Sequence, residues 1–145
     1  PLNQMSDFIT ILEAAEYSEM SEDRWNFVRL LVCIPNLTDI SGNLPNECGM
    51  INLISNDKGC YPGQEVHARL ESRGRTVKRL CLLTGEAAIS PGKYRLSNGS
   101  PAHITSCESS DSVSYGIAKL RINDIESGYI DLDGDIWKVE SLTFL

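Results

Sequence analysis

The chain is predicted to be an α+β protein, with a helical, loop-rich first half and then a small antiparallel β-barrel or sandwich. Three observations predict it. Apolar residues fall at helical spacing within the first 35 positions. From residue 78 onward, short β-type runs recur between turn signals. A length of 145 residues with 41% hydrophobic composition is enough for a modest core in one or two small domains.

In chain order, Ser6 before Asp7-Phe8-Ile9 and Ile11-Leu12-Ala14-Ala15 reads as a capped helix. Ser21 caps a second, with Glu22 and Asp23 in its favourable first turn and Trp25, Val28, Leu31 and Val32 on one face until Pro35 stops the pattern. Both apolar faces are expected to be core, and Cys33 within the second reads as a small buried hydrophobe. Residues 36–49, rich in Asn, Pro, Gly and Ser, read as loop with at most short structure. Met50 to Ser55 alternates apolar and polar residues, which predicts a brief strand. A short helix is expected from Pro62 to Leu70, with Gly74 beyond its end.

Six strand-like runs follow: Arg79 to Thr84, Lys93 to Leu96, Ala102 to Cys107, Val113 to Leu120, Tyr129 to Leu132 and Ile136 to Leu142. Pro91-Gly92, Ser97-Asn98-Gly99 and Asp133-Gly134 separate them, and the last is a strong hairpin signal because Gly takes positive φ without steric penalty. Many short strands with regular turns imply a barrel or sandwich. The helical and β parts are expected to pack together.

The net charge is -7, unevenly spread. Residues 58–79 hold six bases (Lys58, Arg69, Arg73, Arg75, Lys78, Arg79) against Glu65 and Glu71, while the flanks are acidic on both sides. Such a patch is either a solvated surface or an attractor of an anionic ligand or partner. Its shortness and lack of interleaved aromatics argue against nucleic acid. No run approaches the roughly 20 apolar residues of a membrane span, and the start lacks a signal-peptide pattern, so no membrane partner is expected. The opening Pro1 suggests an excerpt from a longer chain.

Five scattered cysteines without a C-x-x-C pair give no legible metal site and fit a reduced intracellular compartment. Cys60 differs from the rest. It precedes the expected helix at Pro62, where unpaired N–H groups and the macrodipole favour an anion, and Lys58 is two residues away. Both would raise the thiolate fraction. The alternative is a cysteine filling space behind Tyr61. Gly59 and Gly63 serve either a tight turn or close approach of a ligand. Glu65 and Arg69 have the spacing of an exposed ion pair, although Arg69 could instead hold a carboxylate. His67 lies too far along the helix for a Cys–His pair and reads as a surface residue; His103 reads as structural or exposed.

The stretch Lys58-Gly59-Cys60-Tyr61-x-Gly63-Gln64-Glu65-x-x-x-Arg69 resembles, at every position, the signature K-G-C-[FY]-x-G-Q-E-x-x-x-R of the YgfZ family, folate-binding relatives of the glycine-cleavage T-protein. Trp25, Arg29 and Ile34-Pro35, the Leu44-Pro45-x-Glu47 approach, and the exit from Arg73-Gly74 to Arg79-Leu80 are similar too.

The resemblance implies a tetrahydrofolate-binding accessory protein that supports assembly or repair of iron–sulfur enzymes, in the bacterial cytoplasm or the mitochondrial matrix. It implies that residues 1–77 end a helix-and-sheet, ferredoxin-like domain and that 78–145 form an aminomethyltransferase-like C-terminal barrel. Cys60 would be the functional thiol, with Lys58, Gly59, Tyr61, Gly63, Gln64, Glu65 and Arg69 around the cofactor. The alternatives are a folate-dependent aminomethyltransferase or demethylase, and a structural or partner-binding module whose motif only shapes a loop.

Overall fold

A computed structural model describes residues 9–55, 59–60, 63–73, 76–110 and 112–142. Helical residues 9–14 form α1; then come α2 (Glu22–Leu31), α3 (Leu37–Ile40), a 3-10 turn (Ile51–Leu53) and α4 (Gln64–Arg73). The second half comprises β1 (Lys78–Gly85), β2 (Gly92–Arg95), β3 (Pro101–Ser109), β4 (Ser114–Arg121), α5 (Ile122–Glu126), β5 (Tyr129–Leu132) and β6 (Asp135–Ser141). The mixed α+β class and all six expected strands are therefore present.

The strands form one antiparallel sheet in the order β2-β3-β4-β1-β6-β5. It curls into a half-barrel. Among the described residues no ladder joins the edge strands β2 and β5; a single bond from Ser97 N–H to the Asp131 carbonyl (3.1 Å) links their neighbourhoods. The concave side holds the main core, with Cys81, Leu83, Ile104, Leu120, Leu132, Trp137 and Val139. The convex side is covered by helices: Leu30 of α2 and Cys48 pack on Leu80, Leu82, Ile117 and Leu142. With both faces of β1 covered, Leu80-Cys81-Leu82-Leu83 reads as an unbroken apolar run and not as an alternating strand.

Two sequence expectations fail in the first half. The stretch expected as a strand after Met50 contains the 3-10 turn; among the described residues no strand pairs with it, so alternation alone does not make β-structure. The helix faces expected to be core are largely exposed. In α1, Ile9 is 48% and Ile11 64% accessible; in and just after α2, Trp25 is 48%, Leu31 49% and Val32 54% accessible. Instead α2 turns Arg29 and Leu30 inward, while its Phe27 ring meets Tyr115 edge-on at 5.7 Å. Ser21 does cap α2, accepting from Arg24 N–H, whereas the Ser6 cap lies outside the described residues. Cys33 is half-buried, in a left-handed conformation (φ 59°) just after α2.

A buried polar cluster explains this choice of face. The Asp39 carboxylate, 0% exposed, accepts from Arg29 Nη1 (3.0 Å), Asn36 N–H (2.8 Å), and the Thr105 and Ser106 hydroxyls (2.5 Å each). Asn36 and Asp39 also close a reciprocal capping box around α3. A register shift between Ile104 and Ser106 lets both hydroxyls reach one oxygen, as expected where a bulge redirects a strand's side chains. Arg29 is thus matched by a carboxylate that holds four donors, the arrangement that makes a buried charge tolerable.

Candidate functional site

The motif lies between the 3-10 turn and β1. Gly63, at φ +88°, precedes the first residue of α4 and its carbonyl accepts from Val66 N–H at 3.1 Å. Positive φ is where glycine is needed. The helix begins at Gln64, two residues later than expected, and continues to Arg73, three residues further. Cys60 therefore stands four residues before the helix. Lys58, Tyr61 and Pro62 lie outside the described residues, as does the side chain of His67.

Cys60 is exposed, as is Gly59, where an added Cβ would meet nothing within 4 Å. Gln64 is half-buried. Glu65 and Arg69, with side chains 90% and 73% accessible, form the expected i,i+4 pair at 3.8 Å. Arg69 thus lies along the surface of α4. Val66 is 44% exposed, and among the described residues no strand packs broadly against this helix. Gly59, Cys60, Gly63, Glu65 and Arg69 are thus each exposed and Gln64 half-buried, and Glu65 and Arg69 are brought together as an ion pair.

The other four cysteines are buried or half-buried. Burial pushes the Cys81 thiol far up, and its S–H donates to the Ala118 carbonyl at 3.3 Å. Burial also raises the thiols of Cys33, Cys48 and Cys107, helped by Glu140, Glu47 and Glu108 respectively, with Lys119 opposing at Cys48. Raised thiols hold little thiolate at neutral pH. Cys60 is the exposed member of the five.

Among the described residues no three His, Cys, Asp or Glu side chains come close enough to hold a metal ion. No helix there is long and apolar enough to cross a membrane. His103 is exposed on β3. The sequence reading missed two charge contacts. One is the Arg29–Asp39 cluster; the other joins Lys119 Nζ to Glu47 (2.9 Å) and Asn43 (2.6 Å), fastening the residue 43–47 loop to β4. Their partners are 10 to 76 positions apart, so no local pattern reveals them.

No protein-family model matches the chain. A curated relative does. The chain is similar to the tRNA-modifying protein YgfZ of Vibrio atlanticus (strain LGP32), 29% identical over 82 residues. The relationship is YgfZ-like. That match covers 54% of this chain and 25% of the relative, so the chain spans about a quarter of the protein it resembles. The mixed α+β architecture with a curled six-stranded sheet is consistent with that relationship.

Proposed function

We propose that this chain carries the thiol-bearing segment and C-terminal half-barrel of a tetrahydrofolate-binding accessory protein that supports assembly or repair of iron–sulfur enzymes, with Cys60 as its functional thiol. One observation carries the reading: the complete K-G-C-Y-x-G-Q-E-x-x-x-R stretch presents its cysteine in the open, while the other four are buried or half-buried. The similar protein is named for tRNA modification, so an enzyme that modifies tRNA is a fitting client. The division at residues 77 and 78 and the cytoplasmic setting belong to the same proposal.

The groups of this segment suit such a ligand. Tetrahydrofolate offers a flat polar heterocycle and an acidic tail. Gln64 supplies donors and an acceptor, Glu65 a carboxylate for paired N–H groups, and Arg69 a guanidinium for carboxylate. Open backbone at Gly59 leaves room for close approach. By residue type Lys58 would add a positive charge and Tyr61 an aromatic ring. When bound, the folate supplies one-carbon chemistry; the protein's part is to hold it beside Cys60.

The test pairs binding with cell function. Tetrahydrofolate titrated into the full-length protein, followed by calorimetry, should saturate, and Glu65→Gln or Arg69→Gln should weaken it by about tenfold. Cells carrying Cys60→Ser should lose activity of iron–sulfur enzymes that wild type sustains. Absence of saturation together with full activity of Cys60→Ser cells overturns the proposal. Turnover of an aminomethylated carrier that survives Cys60→Ser would instead mark an aminomethyltransferase.

A further inference from the structure

Lys78 and Arg121 lie directly opposite each other in the β1–β4 ladder. Opposed residues on one sheet face stand about 4.5–5.5 Å apart at Cβ, and like charges there work against pairing. Two positions away on the same face of β4, Lys119 has its charge met by Glu47 at 2.9 Å and Asn43 at 2.6 Å. Lys78 and Arg121 make no ion pair with any described residue. Both line a cavity of about 440 Å³ with Thr76, Val77, Ile122, Asn123 and Glu126. Glu126 is the one carboxylate in that wall and pairs with neither cation, so the lining keeps a positive excess.

We propose that this cavity binds a dianionic oxyanion group, a phosphate or a pair of carboxylates, carried by a small ligand. An anion between the two side chains turns a repulsive cross-strand pair into a clamp. Arginine offers a fork for two oxygens and lysine a mobile point charge, and with Glu126 counted the lining still carries a net charge of +1. Thr76 and Asn123 add neutral hydrogen-bonding groups, and Val77 and Ile122 add apolar wall for the ligand's body. The volume falls within the roughly 300–1,000 Å³ of small-ligand pockets. The sequence concentrates bases between residues 58 and 79; the fold adds Arg121, 42 or more positions on, where Lys78 needs a counter-charge and receives a second cation. None of the residues lining this cavity belongs to the stretch given a role beside Cys60.

The experiment is a residue-resolved amide NMR titration of the chain with inorganic phosphate and, separately, with glutarate, at ionic strength held constant with chloride. Saturable shifts are expected at residues 76–78 and 121–123. Whichever probe saturates at lower concentration assigns phosphate or dicarboxylate. Lys78→Gln and Arg121→Gln should each weaken binding by about tenfold, while Lys93→Gln, exposed on β2, should not. A thermal melt covers variants that fold poorly: the better probe should raise the wild-type midpoint, as any native-state ligand does. Arg121→Gln should melt no lower than wild type without the anion, and lose the rise with it. Shifts with neither probe, or shifts and a midpoint rise that persist in Lys78→Gln and Arg121→Gln, overturn the proposal.

Discussion

Replacing Asp39 by alanine tests the account of how the helical half is fastened to the sheet. The substitution removes a fully buried carboxylate that accepts four hydrogen bonds, from Arg29, Asn36, Thr105 and Ser106. Arg29, 5% exposed, would keep only Asn26 Oδ1 at 3.1 Å and the Ile34 carbonyl at 3.4 Å. Removing one partner of a buried ion pair costs about 3–5 kcal/mol, most of it from the charge left behind. Domains are stable by about 5–15 kcal/mol, so this is a large fraction of the whole. At about 2–4 °C per kcal/mol for a chain near this length, the melting midpoint should fall by about 6–20 °C. Urea unfolding followed by far-UV circular dichroism gives the free energy directly. Arg29→Met with Asp39→Leu should recover part of the loss, since it leaves no buried charge. A loss below about 1 kcal/mol in Asp39→Ala, the size of one ordinary hydrogen bond, would refute the reasoning.

Three further outcomes follow. Gly85→Ala places a Cβ 2.6 Å from Trp137 Cε3 and 2.7 Å from its Cδ2; that indole is 1% exposed and has nowhere to move, so a loss of about 1–3 kcal/mol is expected in chemical denaturation. Cys81 is buried with its thiol raised above the ordinary 9.0, so its contribution is fully present below pH 9 and is lost as pH rises from there toward the folded value. The fall in stability between pH 8 and pH 10 should therefore be shallower in Cys81→Ala than in wild type, and equal slopes would contradict it. Neutral-pH alkylation read by peptide mass spectrometry should label Cys60 well before Cys81 and Cys48, which are 0% and 2% exposed; simultaneous labelling would remove the distinction between the thiols.

Elements were legible from sequence where one local signal sufficed. Strand periodicity and turn residues located all six strands, and the Asp133-Gly134 turn has positive φ at both residues, 56° and 94°, as its hairpin requires. The Ser21 cap and the Glu65–Arg69 pair were equally local, each spanning one helical turn. The motif around Cys60 was legible as a string of residues. Its exposure was not, because accessibility depends on what the rest of the chain leaves uncovered.

The sequence by itself determined the six strands of the second half with their turns, the capped start of α2, and which thiol sits in a glycine-flanked loop before a helix. Only the tertiary structure decided that α2 meets the sheet through Arg29 and Leu30 and not through Trp25, Leu31 and Val32, because Asp39 and the bulged Thr105–Ser106 pair wait on that side. It also decided that Lys78 faces Arg121 while Lys119 faces Glu47. Periodicity is set by neighbours a few residues apart and reports the shape of a segment. Burial and charge pairing are set by residues 10 to 76 positions away, and they exist only once the sheet has curled and the helices have closed over it.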